Sequence, residues 1–228
     1  MKPGARLCCL CGGRVFERAF EYTAPPAGEN RFPGAPAERY HRTIERCPAC
    51  GHYLSVHDMD LSELYSGTYV DSVYAGDKLR ATFERIVSLP SEKSDNTGRV
   101  ARIEGFAARH WRGGREGRTV LDIGSGLCVF AHAMKLQGWL ATALDPDPRA
   151  ASHARETVGV DAICASFPGA AIARQFDLVT FNKVLEHVED PVAMLAASRP
   201  LVSAQGLVYI ELPDGERAAQ EGPGREEF

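Results

Sequence analysis

The stretch Thr119–Phe130, T-V-L-D-I-G-S-G-L-C-V-F, limits what this chain can fold into more than any other. Val120, Leu121 and Ile123 read as a short buried parallel strand. Gly124 and Gly126 follow as a tight turn, and the apolar run from Val129 opens a helix. Glycine lets a backbone pass close to a ligand, and a helix N-terminus aims unpaired N–H groups at it. A strand, a glycine turn and a helix in this order form the first unit of a nucleotide-binding α/β sheet. An ordinary strand-to-helix turn of another α/β protein shares the outline.

Two ligand classes use such a turn, and Asp122 separates them. A pyrophosphate would meet this carboxylate two residues before the first glycine and be repelled. S-adenosylmethionine (SAM) has no phosphate; its ammonium and sulfonium are favoured by an acid. The third glycine of the dinucleotide fingerprint would fall at Val129. Asp122-Ile123-Gly124-Ser125-Gly126-Leu127-Cys128 resembles the D-x-G-x-G-x-G motif of class I SAM-dependent methyltransferases, departing at Cys128. The resemblance implies that Asp122, Gly124, Ser125 and Gly126 line the cofactor.

From Arg118 onward, strand and helix patterns alternate, which calls for a parallel sheet with right-handed crossovers. A helix runs from about Phe130 to Gln137, and Trp139–Leu144 is the second strand. Asp145 lies 19 residues after Gly126, the distance at which an acid takes the ribose hydroxyls. Asp145 and Pro146 are therefore cofactor contacts, and Asp147 caps the next helix. Val160–Cys164 is the third strand; Ser166 and Phe167 after it stand where the family lines the adenine. Phe176–Phe181 is the fourth, ending at Asn182, a further cofactor contact. Val184-Leu185-Glu186-His187-Val188-Glu189-Asp190-Pro191 resembles a signature of one large branch of these enzymes. His187 is the candidate base, since its unperturbed pKa lies near neutral; the same pair of residues can also be purely structural. Lys183 stands where the metal-dependent O-methyltransferases of ubiquinone synthesis carry an additional carboxylate, which argues against Mg²⁺ there. Leu207–Leu212 is strand five.

The expected fold is a Rossmann-like class I methyltransferase sheet in the order 3-2-1-4-5, with the family's last strands missing. Only 16 residues follow Leu212. Strand five is then an exposed apolar edge, where a second copy of the chain or a completing polypeptide is expected. Gly215, Gly222, Pro223 and Gly224 argue against a sixth strand.

Upstream, Cys8-Cys9-Leu10-Cys11 and Cys47-Pro48-Ala49-Cys50 are two C-x-x-C knuckles separated by 35 residues. Cys8, Cys11, Cys47 and Cys50 make a four-thiolate shell suited to structural Zn²⁺, with Cys9 spare. Four reduced core cysteines, or a redox dithiol, are the alternatives. The expected organisation is a zinc-ribbon-like module over 1–57, a helical cap over 58–117 and an incomplete SAM-binding core over 118–228. In the cap, Leu79, Phe83, Ile86 and Val87, and then Val100, Ile103, Phe106, Ala107 and Trp111, have helical spacing. Tyr65, Tyr69 and Tyr74 are pocket candidates or core residues.

Net charge is −4, and no apolar run approaches the roughly 18 residues of a membrane span. Residues 1–50 hold eight Lys/Arg against five Asp/Glu, a weak basic bias that does not make a nucleic-acid surface. The chain reads as a cytoplasmic protein with reduced cysteines. The resemblance implies methyl transfer from SAM to a small molecule, such as a nucleotide-linked sugar or a secondary metabolite. An rRNA or tRNA methyltransferase with a zinc module, and a non-catalytic SAM-binding scaffold, are the rival readings.

Overall fold

The computed structural model describes residues 7–25, 40–57, 78–113 and 116–221. Tyr65, Tyr69 and Tyr74 lie outside these residues, as do Gly222, Pro223 and Gly224. The chain divides into two compact units: 1–72 with 186–192 and 212–228, and 73–185 with 193–211.

The first unit holds a three-stranded antiparallel sheet of β1 (Glu17–Tyr22), β2 (Arg42–Arg46) and β3 (Tyr53–His57), paired in chain order. Between β2 and β3 the second cysteine knuckle turns the chain. Ile44 and Cys47 are fully buried beside Cys8 and Tyr40. Among the described residues this unit buries few large apolar side chains, and a core of that size gains from a further source of stability.

The second unit carries the parallel sheet. Its elements are α1 (Lys78–Val87), α2 (Asp95–His110), β4 (Thr119–Ile123), α3 (Val129–Leu136), β5 (Leu140–Asp145), α4 (Pro148–His153), β6 (Asp161–Cys164), β7 (Phe176–Asn182), α5 (Pro191–Ser198) and β8 (Val202–Glu211). The strand order is β6-β5-β4-β7-β8, all parallel, which is the expected 3-2-1-4-5. β4 is the middle strand with β7 beside it, and their apolar residues are interrupted by Asp122 on β4 and by Asp177, Thr180 and Asn182 on β7. Val120, Leu121, Val179 and Phe181 are fully buried.

α2 packs Val100, Ile103, Ala107 and Trp111 into the core with Phe130, Met134 and Trp139. Phe106 departs from the expected stripe and is 51% exposed. At about 100° per residue, position 106 falls roughly a third of a turn away from the 100-103-107-111 line.

β8 starts five residues before the expected Leu207. Val202 pairs with Phe176 and Leu207 with Leu178, so the intervening Ser203–Gly206 bulge from the ladder. Gly206 permits this, because a Cβ there would lie 2.7 Å from Val202 Cγ1 and 3.0 Å from Phe176 O. Beyond β8, α6 (Gly215–Glu221) forms in the tail that sequence reasoning left without regular structure. Asp214 starts it by accepting from the amides of Glu216 and Arg217 at 3.1 and 3.0 Å. Among the described residues there is no sixth strand in the sheet, and no helix is long and apolar enough to cross a membrane.

Candidate cofactor site and candidate metal centre

The carboxyl ends of β4, β5 and β7 converge, and the loop after β4 bends over them. Gly124 has φ +71° and packs under Val184, whose Cγ2 would sit 2.7 Å from an added Cβ. Only glycine fits both constraints. The loop amides turn back on β5: those of Gly124 and Ser125 donate to Leu144 O at 2.8 and 3.2 Å. Gly126 N donates to Asp145 Oδ2 at 2.9 Å. Three consecutive N–H groups are thus satisfied inside the protein, so the turn does not present the open amide cradle that a pyrophosphate requires.

Asp122 lies beneath this loop, 3% exposed. Its Oδ1 accepts from Thr180 Oγ1 and from Asn182 Nδ2, both at 2.8 Å. Burial pushes its pKa up to about 6, against the pull of these two donors and the field of Arg99. Asn182 Oδ1 is buried, with no partner among the described residues. Asp145 accepts Asp147 N on Oδ1 at 3.0 Å; burial raises its pKa while the two amides oppose the shift. Asp147 caps α4 through Arg149 N at 2.8 Å, and Pro148 takes the first helical position.

Of the residues read from the sequence, Asp122, Gly124, Ser125, Gly126, Asp145 and Asn182 come together in this network. Pro146 and Ser166 stand exposed on the loops after β5 and β6. The Phe167 ring lies 6.3 Å from that of Phe181. Cys128 occupies the last motif position in a left-handed conformation, φ +57°. It is fully buried, and burial pushes its thiol up to about 12, so it acts as loop filling rather than as a nucleophile. His187 lies in the first unit on the turn Leu185–His187; the protein around it depresses its pKa although the residue keeps an exposed surface.

Sequence reasoning missed three polar residues. Thr180 shares a strand face with Asn182, and the period of two could have shown it. Arg99, 7% exposed, grips Glu211: Nε donates to Oε2 at 2.8 Å and Nη2 donates to Oε1. It also reaches Asp95 at 3.2 Å and Asn96 at 3.3 Å. A charged residue next to the apolar Val100 was the available signal. Glu211 accepts in addition from Tyr209 Oη at 2.9 Å, and Arg99 holds its carboxyl below the usual range.

In the first unit the Sγ atoms of Cys8, Cys11, Cys47 and Cys50 all lie within 4.8 Å of one another. Cys8 and Cys50 are 3.5 Å apart, Cys11 and Cys47 3.6 Å. A tetrahedron with metal–sulfur bonds of about 2.3 Å has edges of roughly 3.8 Å, so the four thiols fit such an ion. The two knuckles are built alike: Gly12 N bonds Cys8 O and Gly51 N bonds Cys47 O, both at 2.8 Å. Gly12 and Gly51 have φ +71° and +77°. Cys9 stays outside the four, with Sγ 3.5 Å from His52 Nε2.

Known proteins are similar to parts of this chain. The ubiquinone biosynthesis O-methyltransferase of Pseudomonas paraeruginosa is 37% identical over 106 residues, 43% of this chain and 46% of that protein. The enzyme of the same description from Escherichia coli O127:H6 is 36% identical over 104 residues, 42% and 43% of the two chains. The match thus takes in less than half of the relatives' length. Among solved structures, the plantazolicin methyltransferase BpumL in complex with a monoazolic desmethylPZN analog and SAH aligns with a TM-score of 0.46 and 18% identity. It covers 70% of this chain and 63% of that one. A TehB-like SAM-dependent methyltransferase from Corynebacterium glutamicum aligns with a TM-score of 0.45 and 20% identity, over 63% and 79%. A model of the methyltransferase domain matches residues 94–225, more than half of the 228. The chain belongs to the methyltransferase-domain family.

Proposed function

We propose that this protein binds SAM at the carboxyl ends of β4, β5 and β7 and transfers its methyl group to a small molecule. One observation carries the reading: the loop amides are used inside the protein while two carboxylates, Asp122 and Asp145, stand below and beside the loop. Such a site disfavours a pyrophosphate and favours a cationic ligand. When bound, SAM supplies an electrophilic methyl group on its sulfonium. Ionised Asp122, kept in place by Thr180 and Asn182, would balance the ammonium. The unpartnered Oδ1 of Asn182 offers that ammonium a further acceptor. Asp145 has acceptor capacity left for the ribose hydroxyls. Gly124 and Gly126 leave room for the ligand against the backbone, with Ser125, Pro146, Ser166 and Phe167 around the adenosine.

His187 is assigned as the base that takes the acceptor's proton. Its depressed pKa keeps the ring neutral at neutral pH, as a base requires. The module over residues 1–57 is assigned to structural Zn²⁺ on Cys8, Cys11, Cys47 and Cys50. A shell of four thiolates leaves no open position for a substrate, so the ion's role is to hold the module folded. A small-molecule acceptor, such as a nucleotide-linked sugar or a secondary metabolite, is part of the same reading, as is a cytoplasmic location. Calorimetric titration with SAM and with NADH tests the site: SAM is expected to bind and NADH to fail. The reverse result overturns the reading. Mass spectrometry with labelled SAM and a panel of acceptors then identifies the substrate.

A further inference from the structure

We infer that Asn96, Arg99 and Glu211 are positioning residues for the cofactor. They form a polar brace that ties the glycine loop after β4 to the turn after β7, so that Asp122 and Asn182 stay aligned as acceptors. As a cofactor device the brace rests on the assignment of SAM to this site. Its first end is on the glycine loop. Asn96 Nδ2 donates to the carbonyl of Val129, the first residue of α3, at 3.4 Å. Arg99 Nη1 donates to Asn96 Oδ1 at 3.3 Å, and Nε donates to Glu211 Oε2 at 2.8 Å. The second end is on the turn after β7, where Lys183 N donates to Glu211 O at 3.0 Å. Asn182, which donates to Asp122, is the ladder partner of Glu211.

Two independent observations point to positioning rather than to packing. Asn96 and Arg99 are each 7% exposed. Taking a guanidinium out of water is costly, and apolar side chains in place of a buried ion pair often leave a fold as stable or more so. α2 already buries Val100, Ile103 and Ala107 for its packing. The polar set beside them serves geometry, since the planar fork of arginine fixes the direction of each bond. The second observation is backbone strain. Among the described residues, Cys128 and Lys183 are the non-glycine residues with positive φ, +57° and +54°. Cys128 directly precedes Val129, and Lys183 is the residue whose amide Glu211 holds. Such a conformation is disfavoured for a residue with a Cβ and persists where the surroundings fix it. The two strained residues thus lie at the two ends of the brace. Lys183 also stands between two contacts of the site. Asn182 on one side donates to Asp122 Oδ1 at 2.8 Å, and Val184 on the other packs against Gly124. A turn that relaxed at Lys183 would move both.

The test compares the full chain with Asn96→Leu, Glu211→Gln and Arg99→Lys, each checked for folding by circular dichroism. Hydrogen exchange followed by mass spectrometry reads the ligand-free loops, and calorimetry reads SAM affinity. Asn96→Leu should speed exchange across residues 124–129 and Glu211→Gln across 183–185, each by at least about fivefold. Arg99→Lys keeps the charge and loses the fork; it should speed both stretches while β5 exchanges as in the parent. SAM affinity should fall by at least about tenfold in Arg99→Lys. A merely stabilising role predicts faster exchange throughout the sheet instead. Uniform speeding, unchanged loops, or an Arg99→Lys variant that loosens one loop alone overturns the inference. So does parent-like SAM affinity in a variant whose loops are loosened. If Arg99→Lys fails to fold, the other two variants decide, each by the loop at its own end. A parent that does not bind SAM refutes the cofactor assignment alone, because exchange reads the brace without ligand.

Discussion

Replacing Asp122 by asparagine should make the protein more stable and a poorer SAM binder at once. The carboxyl is fully buried, and its pKa rises from an ordinary 3.8 to about 6. For an acid, a raised folded pKa means that the fold prefers the protonated form. The stability tied to this group is fully present below the unfolded value and is lost as pH rises through the folded one. The difference of roughly two units corresponds to about 3 kcal/mol of strain from the buried charge above pH 6. Asparagine keeps an oxygen for Thr180 and Asn182 and removes the charge. Its new N–H groups need an acceptor, and Asn182 can supply one by turning its unpartnered Oδ1 inward. An unmet N–H would cancel about 1–3 kcal/mol of the gain. Urea unfolding of the ligand-free variant and parent should therefore coincide near pH 4 and separate at pH 8, with the variant more stable by about 2 kcal/mol. Calorimetry at pH 8 should show SAM affinity down by at least about tenfold, since the ammonium loses its buried counter-charge. A variant less stable than the parent at pH 8, or one that binds SAM equally well, refutes the argument.

Asp145→Ala should weaken SAM binding by about 1.5–3 kcal/mol, the range for a hydrogen bond to a charged group, measured by the same titration. It also releases Gly126 N, so hydrogen exchange of the loop should rise in the variant. Cys47→Ser should take the zinc content, read by elemental analysis of protein purified without added metal, from one ion per chain to none. Limited proteolysis should then cut within residues 7–57 while the parallel sheet persists by circular dichroism; a metal-free parent that resists cleavage there contradicts the assignment. His187→Gln should lower kcat by about 10²-fold or more, in the range for general acid–base catalysis, and leave SAM affinity unchanged; an unaltered kcat assigns the histidine to structure.

The parts of the fold legible in the sequence are those where one residue type has one physical reason. Gly124 is an example: a positive φ and a side chain 2.7 Å from its missing Cβ leave no alternative, so the loop was readable before the sheet. The strand order followed because alternating strands and helices have one favoured handedness. Both C-x-x-C pairs were readable because spacing and a following glycine define a knuckle, and the sulfurs do meet within 4.8 Å. What stayed hidden depends on which side of an element a residue faces. Phe106 and Ala107 are neighbours in an apolar pattern, yet one is 51% exposed and the other 1%. The helix phase that decides between them is set by contacts with residues far along the chain.

Arg99 and Glu211, 112 positions apart, form the least legible pair. Neither residue has a local pattern, and their link exists only because α2 and β8 are neighbours in the folded sheet. The carboxylate has two further partners: Tyr209 Oη donates to it at 2.9 Å, and Arg102 Nη2 lies 3.4 Å from the same oxygen. Arg99→Met removes the buried guanidinium and leaves only these two to hold Glu211. Breaking a buried pair from one side costs about 3–5 kcal/mol, and the remaining partners should bring the loss of stability, read by urea unfolding, to the lower end of that range. Unchanged stability would mean that the pair is not buried as the structure has it.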